Sequence, residues 1–203
     1  MINALLVIFD SVPTWDRIAV ARRRIPGILA GYLVPILVFV SAVEGYSLWR
    51  FGKARGDLSR VQGMPLQHVI AFEISQFVLS LLTVFIAAKL IKALGETFHG
   101  RHTFVEAFTV AAYGLGPLFI LRIFNALPPV SPWLTWGVGI VLCISTLYHG
   151  LPRVMRPDPP HAFGLYLVTS ILLILITGLA CFLTAWYLDG RFGRLNELFS
   201  QAG

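Results

Sequence analysis

Residues 104–127 read FVEAFTVAAYGLGPLFILRIFNAL, and this stretch decides the fold. It is long enough to cross a bilayer, which takes about 20 mostly apolar residues. Near its middle lie Tyr113, Gly114, Gly116 and Pro117. A proline there frees a backbone carbonyl, and two glycines allow neighbouring helices to approach closely. The pattern predicts a kinked transmembrane helix at the centre of a bundle. Tyr113 and Pro117 are a candidate hinge, with ordinary helix packing as the alternative.

The composition is that of a membrane protein. Of the 203 residues, 57% are hydrophobic and 13% are charged, whereas a soluble domain carries about 25% charged residues. We therefore expect an all-α, polytopic integral membrane protein with five transmembrane helices and short interfacial helices. The net charge of +6 is spread over loops rather than gathered in one patch. It predicts attraction to anionic lipids and no nucleic-acid partner.

Two apolar spans precede the central one and two follow it. The five predicted spans are 26–49, 68–94, 104–127, 133–151 and 163–188. They make residues 26–188 one transmembrane domain, followed by a short C-terminal tail at 189–203. In the first span, the small residues Gly27, Gly31 and Pro35 recur at four-residue spacing. Such a row is typical of a face that packs closely against another helix.

Residues 1–25 are predicted to be an interfacial amphipathic segment. Asp10 and Pro13 interrupt its apolar run, and Thr14 is the predicted N-cap of a short helix that carries Trp15. We expect this helix to lie in the interface plane with its arginines among the headgroups. An irregular tail is the alternative.

The basic residues predict the orientation. With the N-terminus inside, nine fall in inner segments and seven, including Arg122, in outer ones. Because cytoplasmic segments carry an excess of Lys and Arg, we expect a cytoplasmic N-terminus.

Two carboxylates inside the spans are the sharpest candidates for a site. Glu73, Gln76, Ser80 and Thr83 are spaced by three or four residues and share one helix face. Glu44 lies at a similar depth if the first two helices are antiparallel. Since a carboxylate in a membrane needs a partner or water, we expect an ion, proton or lipid-headgroup site. Tyr46 would lie nearby, and the alternative is an interfacial pair with Arg50.

A second group of ligand-type side chains lies between the second and third spans. Glu96, His99, His102 and Glu106 include groups that zinc could use. However, Thr103 and Glu106 have capping-box spacing, so a solvated turn is preferred. We expect no bound metal and no cofactor.

The common catalytic motifs are missing from the sequence. It contains no His-Glu-x-x-His, Gly-x-Ser-x-Gly, P-loop or Gly-x-Gly-x-x-Gly pattern. Cys143 and Cys181 both fall in apolar spans, where we interpret them as packing residues. We therefore do not expect an enzyme.

Four short segments, in this order, resemble the Yip family (Ypt/Rab-interacting protein family). They are PTWDRI at 13–18, GRHTFVEAF at 100–108, AAYGLGPLF at 111–119 and LYHGLP at 147–152. The resemblance implies a five-span helical protein with a cytoplasmic N-terminus. Eukaryotic relatives are associated with Rab-type GTPases and vesicle traffic. This chain lacks their long soluble N-terminal region and is more similar to short bacterial inner-membrane relatives, so GTPase binding is not expected.

Two hypotheses for function follow. The first is a non-enzymatic organiser or adaptor that binds other membrane proteins or lipids in the bilayer, or forms a homo-oligomer. The second is a small transporter or channel for an ion or lipid that uses the polar face of the second span. A cavity along that face would favour the second hypothesis, and a sealed interior the first.

Overall fold

The computed structural model describes residues 6, 10–52, 65–98, 102–127 and 129–188, and these residues form helices and no strands. The helices are α1 Ser11–Ala21, α2 Ile25–Arg50, α3 Leu66–Thr97, α4 Phe104–Gly114, α5 Gly116–Leu121, α6 Pro132–Met155 and α7 Pro159–Leu188. A π-helical turn, Leu29–Leu33, lies within α2, and a 3-10 turn, Arg122–Ala126, follows α5. Five segments are long and apolar enough to cross a membrane, which confirms the all-α polytopic prediction.

The third span, formed by α4, α5 and the 3-10 turn, lies at the centre of the bundle. Of its most apolar window 67% is buried, against 28–44% for the other four spans. It contacts α2, α3 and α6. The helix is interrupted at Leu115, because Pro117 cannot donate a backbone hydrogen bond. The predicted central, broken helix is confirmed.

The glycines beside this interruption permit close contacts. A Cβ on Gly114 would lie 2.9 Å from Leu147, and one on Gly116 would overlap the hydroxyl of Tyr32. The Tyr32 and Tyr113 rings lie 4.2 Å apart between centroids. The glycines therefore serve packing here, and the hinge at Tyr113 and Pro117 stays a prediction.

The predicted capping box at Thr103 and Glu106 is present. The Thr103 hydroxyl accepts from the N–H of Glu106 at 3.3 Å, and the Glu106 carboxylate accepts from the N–H of Thr103 at 2.9 Å. The Ser131 hydroxyl caps α6 by accepting from the N–H of Trp133. These local bonds fix where α4 and α6 begin.

The fourth span extends beyond its predicted end at residue 151. Helix α6 continues through Pro152 to Met155. A proline removes one backbone hydrogen bond, and the next turn still closes because the N–H of Arg156 donates to the carbonyl of Pro152. The fourth span is therefore longer than predicted.

The N-terminal helix also differs from its prediction. Thr14 is not an N-cap: α1 begins at Ser11, because Pro13 is tolerated in a first helical turn. Trp15 is fully buried, and its ring lies against Gly150 of α6. Amphipathicity alone did not predict this docking of α1 onto the bundle.

Candidate functional site

Three charged side chains meet inside the bundle, and we call them the ion cluster. The Nη2 atom of Arg122 lies 2.8 Å from Glu44 Oε2 and 3.7 Å from Glu73 Oε2. The side chains of Glu44, Glu73 and Arg122 are 2%, 11% and 13% exposed. The cluster joins α2, α3 and the 3-10 turn. The two carboxylates therefore lie at similar depth, as predicted, and share one cation.

Local packing brings these elements together. A Cβ on Gly45 would lie 3.1 Å from Cγ of Glu73, so α2 and α3 approach closely beside the cluster. The Ser47 hydroxyl donates to the carbonyl of Ala126 in the 3-10 turn. These contacts hold Arg122 against both helices.

The cluster contains more acid than base. Two ionised carboxylates and one guanidinium would leave one negative charge in a setting of low dielectric, where an uncompensated charge is costly. Glu44 accepts a hydrogen bond from Arg122, which also donates to the Ser80 hydroxyl at 3.3 Å. Neither oxygen of Glu73 accepts a hydrogen bond of normal geometry from the described residues, although the Ser41 hydroxyl of α2 is close enough to interact with it. Glu73 is therefore the carboxylate that could take up a proton or a small cation.

The rest of the predicted polar face turns inward. Gln76, Ser80 and Thr83 are buried. Nε2 of Gln76 donates to the Thr184 hydroxyl of α7 at 2.6 Å, while Ser80 and Thr83 donate to carbonyls one turn earlier in α3. The polar face therefore helps join α3 to α7.

A cavity of about 70 Å³ lies between α3, α5, α6 and α7. Gln76, Ser80, Thr83, Arg122 and Asn125 contribute polar groups to its walls. The Oδ1 atom of Asn125 is buried without a hydrogen-bond partner among the described residues. Since a water molecule takes about 30 Å³ in the liquid, the cavity could hold a few waters or one small ion.

The cation beside the carboxylates is Arg122, not Arg50 as one sequence alternative held. Arg50 is exposed at the end of α2. Tyr46 is also exposed, and its ring lies against Trp49 instead of the ion cluster. The count of basic residues placed Arg122 in an outer segment. A lone arginine at the end of an apolar span needs a partner as much as the two glutamates do, and this signal could have identified it.

The other ligand-type residues are dispersed. Glu96 pairs with Lys92 at 3.3 Å, and Glu106 caps α4. His102 is buried against Gly95, and His99 lies outside the described residues. The described part of the chain holds no group of three side chains suited to a metal ion.

The cysteines are not joined to each other. Cys143 is a buried free thiol in α6, as a packing residue would be. Cys181 is partly buried in α7, where its Sγ lies 3.8 Å from the carbonyl oxygen of Pro132.

The five apolar spans and the buried ion cluster together define a compact multi-pass membrane protein. The model of the Yip1 domain matches residues 5–188, and the chain belongs to this family. The Yip1 family is not a known enzyme family. Searches of the curated proteins and of the solved structures found no match.

Proposed function

We propose that this protein is a non-enzymatic membrane organiser or adaptor that binds other membrane proteins or lipids. The observation that carries this proposal is the pairing of Arg122 with Glu44 and Glu73. Arg122 pairs with both carboxylates and so links α2, α3 and the 3-10 turn, and we infer that the main role of the cluster is to hold the bundle together. Partner proteins or lipids would then bind to the outer surfaces of the helix bundle.

The proposed location is the bacterial inner membrane, with the N-terminus in the cytoplasm. The basic residues support this orientation better once Arg122 is assigned to the bundle interior. Nine basic residues then remain in the segments on the N-terminal side and six in the segments on the other side. An excess of this sign is typical of cytoplasmic segments.

A protein partner is proposed to bind the outer face of α2. Gly27 has no atom within 4 Å of a Cβ built on it, and for Gly31 only Arg23 comes near, at 3.8 Å. The described residues of the chain thus leave this small-residue row uncovered. In lipid, such rows allow another helix, from a second copy or a different protein, to approach closely.

Gly31→Leu is expected to reduce partner recovery at least about threefold, because the larger side chain would hold a partner helix away. The measurement is mass spectrometry of the protein purified in lipid nanodiscs, with stoichiometry compared between variants. Gly137→Leu is the matched control, since Gly137 of α6 also has open space around it. Equal loss in both variants, or no stoichiometric partner for the wild type, would argue against binding through α2.

A small transporter is the second candidate function, and the cavity beside Arg122 favours it. Asn125, whose Oδ1 has no hydrogen-bond partner among the described residues, lines this cavity and could contact a small cation there. Glu73 does not line the cavity but lies 3.7 Å from Arg122, which does, and could take up a proton. The test is flux of protons and monovalent cations into proteoliposomes. The organiser proposal expects no flux above that of empty vesicles. If the wild type shows flux and Glu73→Gln abolishes it, the transporter replaces the organiser as the proposed function.

A further inference from the structure

Arginines line two adjoining cavities at the face of the bundle where α1 lies. The larger cavity, about 310 Å³, is bordered by Arg22, Arg23, Arg153 and Arg156. The smaller one, about 260 Å³, shares Arg23 and adds Arg17. We call these five residues the arginine pocket. It shares no residue with the ion cluster.

The acids around the pocket are already engaged. Asp16 accepts from Nε of Arg153 at 3.0 Å, and the Glu106 carboxylate accepts from the N–H of Thr103. Within the described residues, Arg22 and Arg156 have no carboxylate within salt-bridge distance. The pocket therefore keeps an excess of positive charge.

The backbone at two of these arginines is unusual. Arg22 has φ 38° and Arg156 has φ 46°, and they are the two non-glycine residues with positive φ in the described part of the chain. Each ends a helix at a position where glycine is commonly found, because a side chain is disfavoured in the left-handed region. A positive charge at a helix C-terminus interacts favourably with the helix dipole, but the left-handed backbone disfavours a side chain there. A ligand for the guanidinium groups would add a reason for arginine at both positions.

Two buried polar residues also lie at these cavities: Thr14 lines the smaller one and His102 the larger one. Thr14 Oγ1 and His102 Nε2 are inaccessible to solvent and have no hydrogen-bond partner among the described residues. The arginines, rather than these two atoms, therefore provide the donors that a ligand could reach.

We propose that the arginine pocket binds the phosphate group of an anionic lipid. Guanidinium groups match phosphate oxygens in geometry and charge. Arg23 lies two residues before α2, and Arg156 directly follows α6, so the pocket lies at the ends of two spans, where headgroups are found. This inference rests on the proposed function, in which the protein binds lipids or other membrane proteins, and it names the class of lipid.

The test uses the full chain in a neutral detergent, titrated with phosphatidylglycerol, with phosphatidylcholine or with inorganic phosphate. We expect phosphatidylglycerol to raise the thermal midpoint at about tenfold lower concentration than phosphatidylcholine. Both lipids carry the phosphodiester, but the choline of phosphatidylcholine adds a positive charge that the arginines repel. Arg22→Gly combined with Arg156→Gly is expected to remove this preference. Without lipid the midpoint should stay equal or rise, since glycine favours this backbone.

Arg24→Gln is the matched control, because Arg24 directly follows Arg23 in the chain and is exposed but lines neither cavity. It should keep the full lipid preference. If the glycine variant misfolds, asparagine at both positions tolerates the same backbone and takes its place.

Three outcomes would overturn the proposal: equal response to both lipids, an equal loss in Arg24→Gln, or stabilisation by inorganic phosphate but not by phosphatidylglycerol. The last would identify a soluble phosphate as the ligand. The pocket variants should still recover the partner that binds α2. Loss of partner binding in Gly31→Leu and loss of lipid preference in the pocket variants are therefore separate results.

Discussion

Arg122→Met is expected to lower the free energy of unfolding by about 3–5 kcal/mol, because removal of one partner leaves buried charge uncompensated. The change removes the cation that lies within 4 Å of both Glu44 and Glu73. Methionine keeps much of the apolar volume, so the loss reports on charge rather than on a cavity. The midpoint of unfolding in detergent, followed by tryptophan fluorescence, measures it.

The two carboxylates provide graded comparisons. Glu44→Gln should cost less than Arg122→Met, because a neutral side chain in place of Glu44 leaves one acid and one base. Glu73→Gln should cost least, since Glu73 lies 3.7 Å from the guanidinium and accepts no hydrogen bond of normal geometry from the described residues. The expected order of destabilisation is thus Arg122, Glu44, Glu73. An Arg122 variant no less stable than Glu73→Gln would show that the cluster does not hold the bundle together.

The sequence predicted those parts of the fold that depend on local pattern. Apolar length predicted the five spans, and the glycines and Pro117 predicted the broken central helix. Capping chemistry located the start of α4, because Thr103 and Glu106 bond to each other's backbone N–H groups. Helical spacing also predicted that Gln76, Ser80 and Thr83 share an inward face.

Contacts between distant parts of the chain could not be predicted in this way. The pairing of Arg122 with Glu44 spans 78 positions and depends on how α2 and the 3-10 turn pack. Sequence spacing carries no information on such a distance, and the one cation that it suggested as a partner was Arg50, which follows Glu44 closely in the chain. The same limit applies to Trp15, whose burial depends on a glycine in α6.

Gly150→Ala is expected to release α1 from the bundle. A Cβ at this position would overlap the ring of Trp15, whereas carbon atoms in contact normally lie about 3.5–4.0 Å apart. The ring is rigid and fully buried, so it has to move by more than an ångström. Loss of a buried tryptophan contact costs about 3–5 kcal/mol, and the better helix propensity of alanine returns about 1 kcal/mol. The net loss in the free energy of unfolding should be about 2–4 kcal/mol.

Limited trypsin digestion reports the release directly, because Arg17 lies in α1 and Arg22 follows it. Gly137→Ala is the matched control in the same helix: its Cβ would meet no atom within 4 Å, so stability should stay equal or rise by up to about 1 kcal/mol. Adding Gly150→Ala to a Trp15→Ala protein should then cost nothing further, since the ring it would strike is gone. If Gly150→Ala were as costly in that background as in the wild type, the contact with Trp15 would not be its cause, and the docking of α1 would have to depend on other residues.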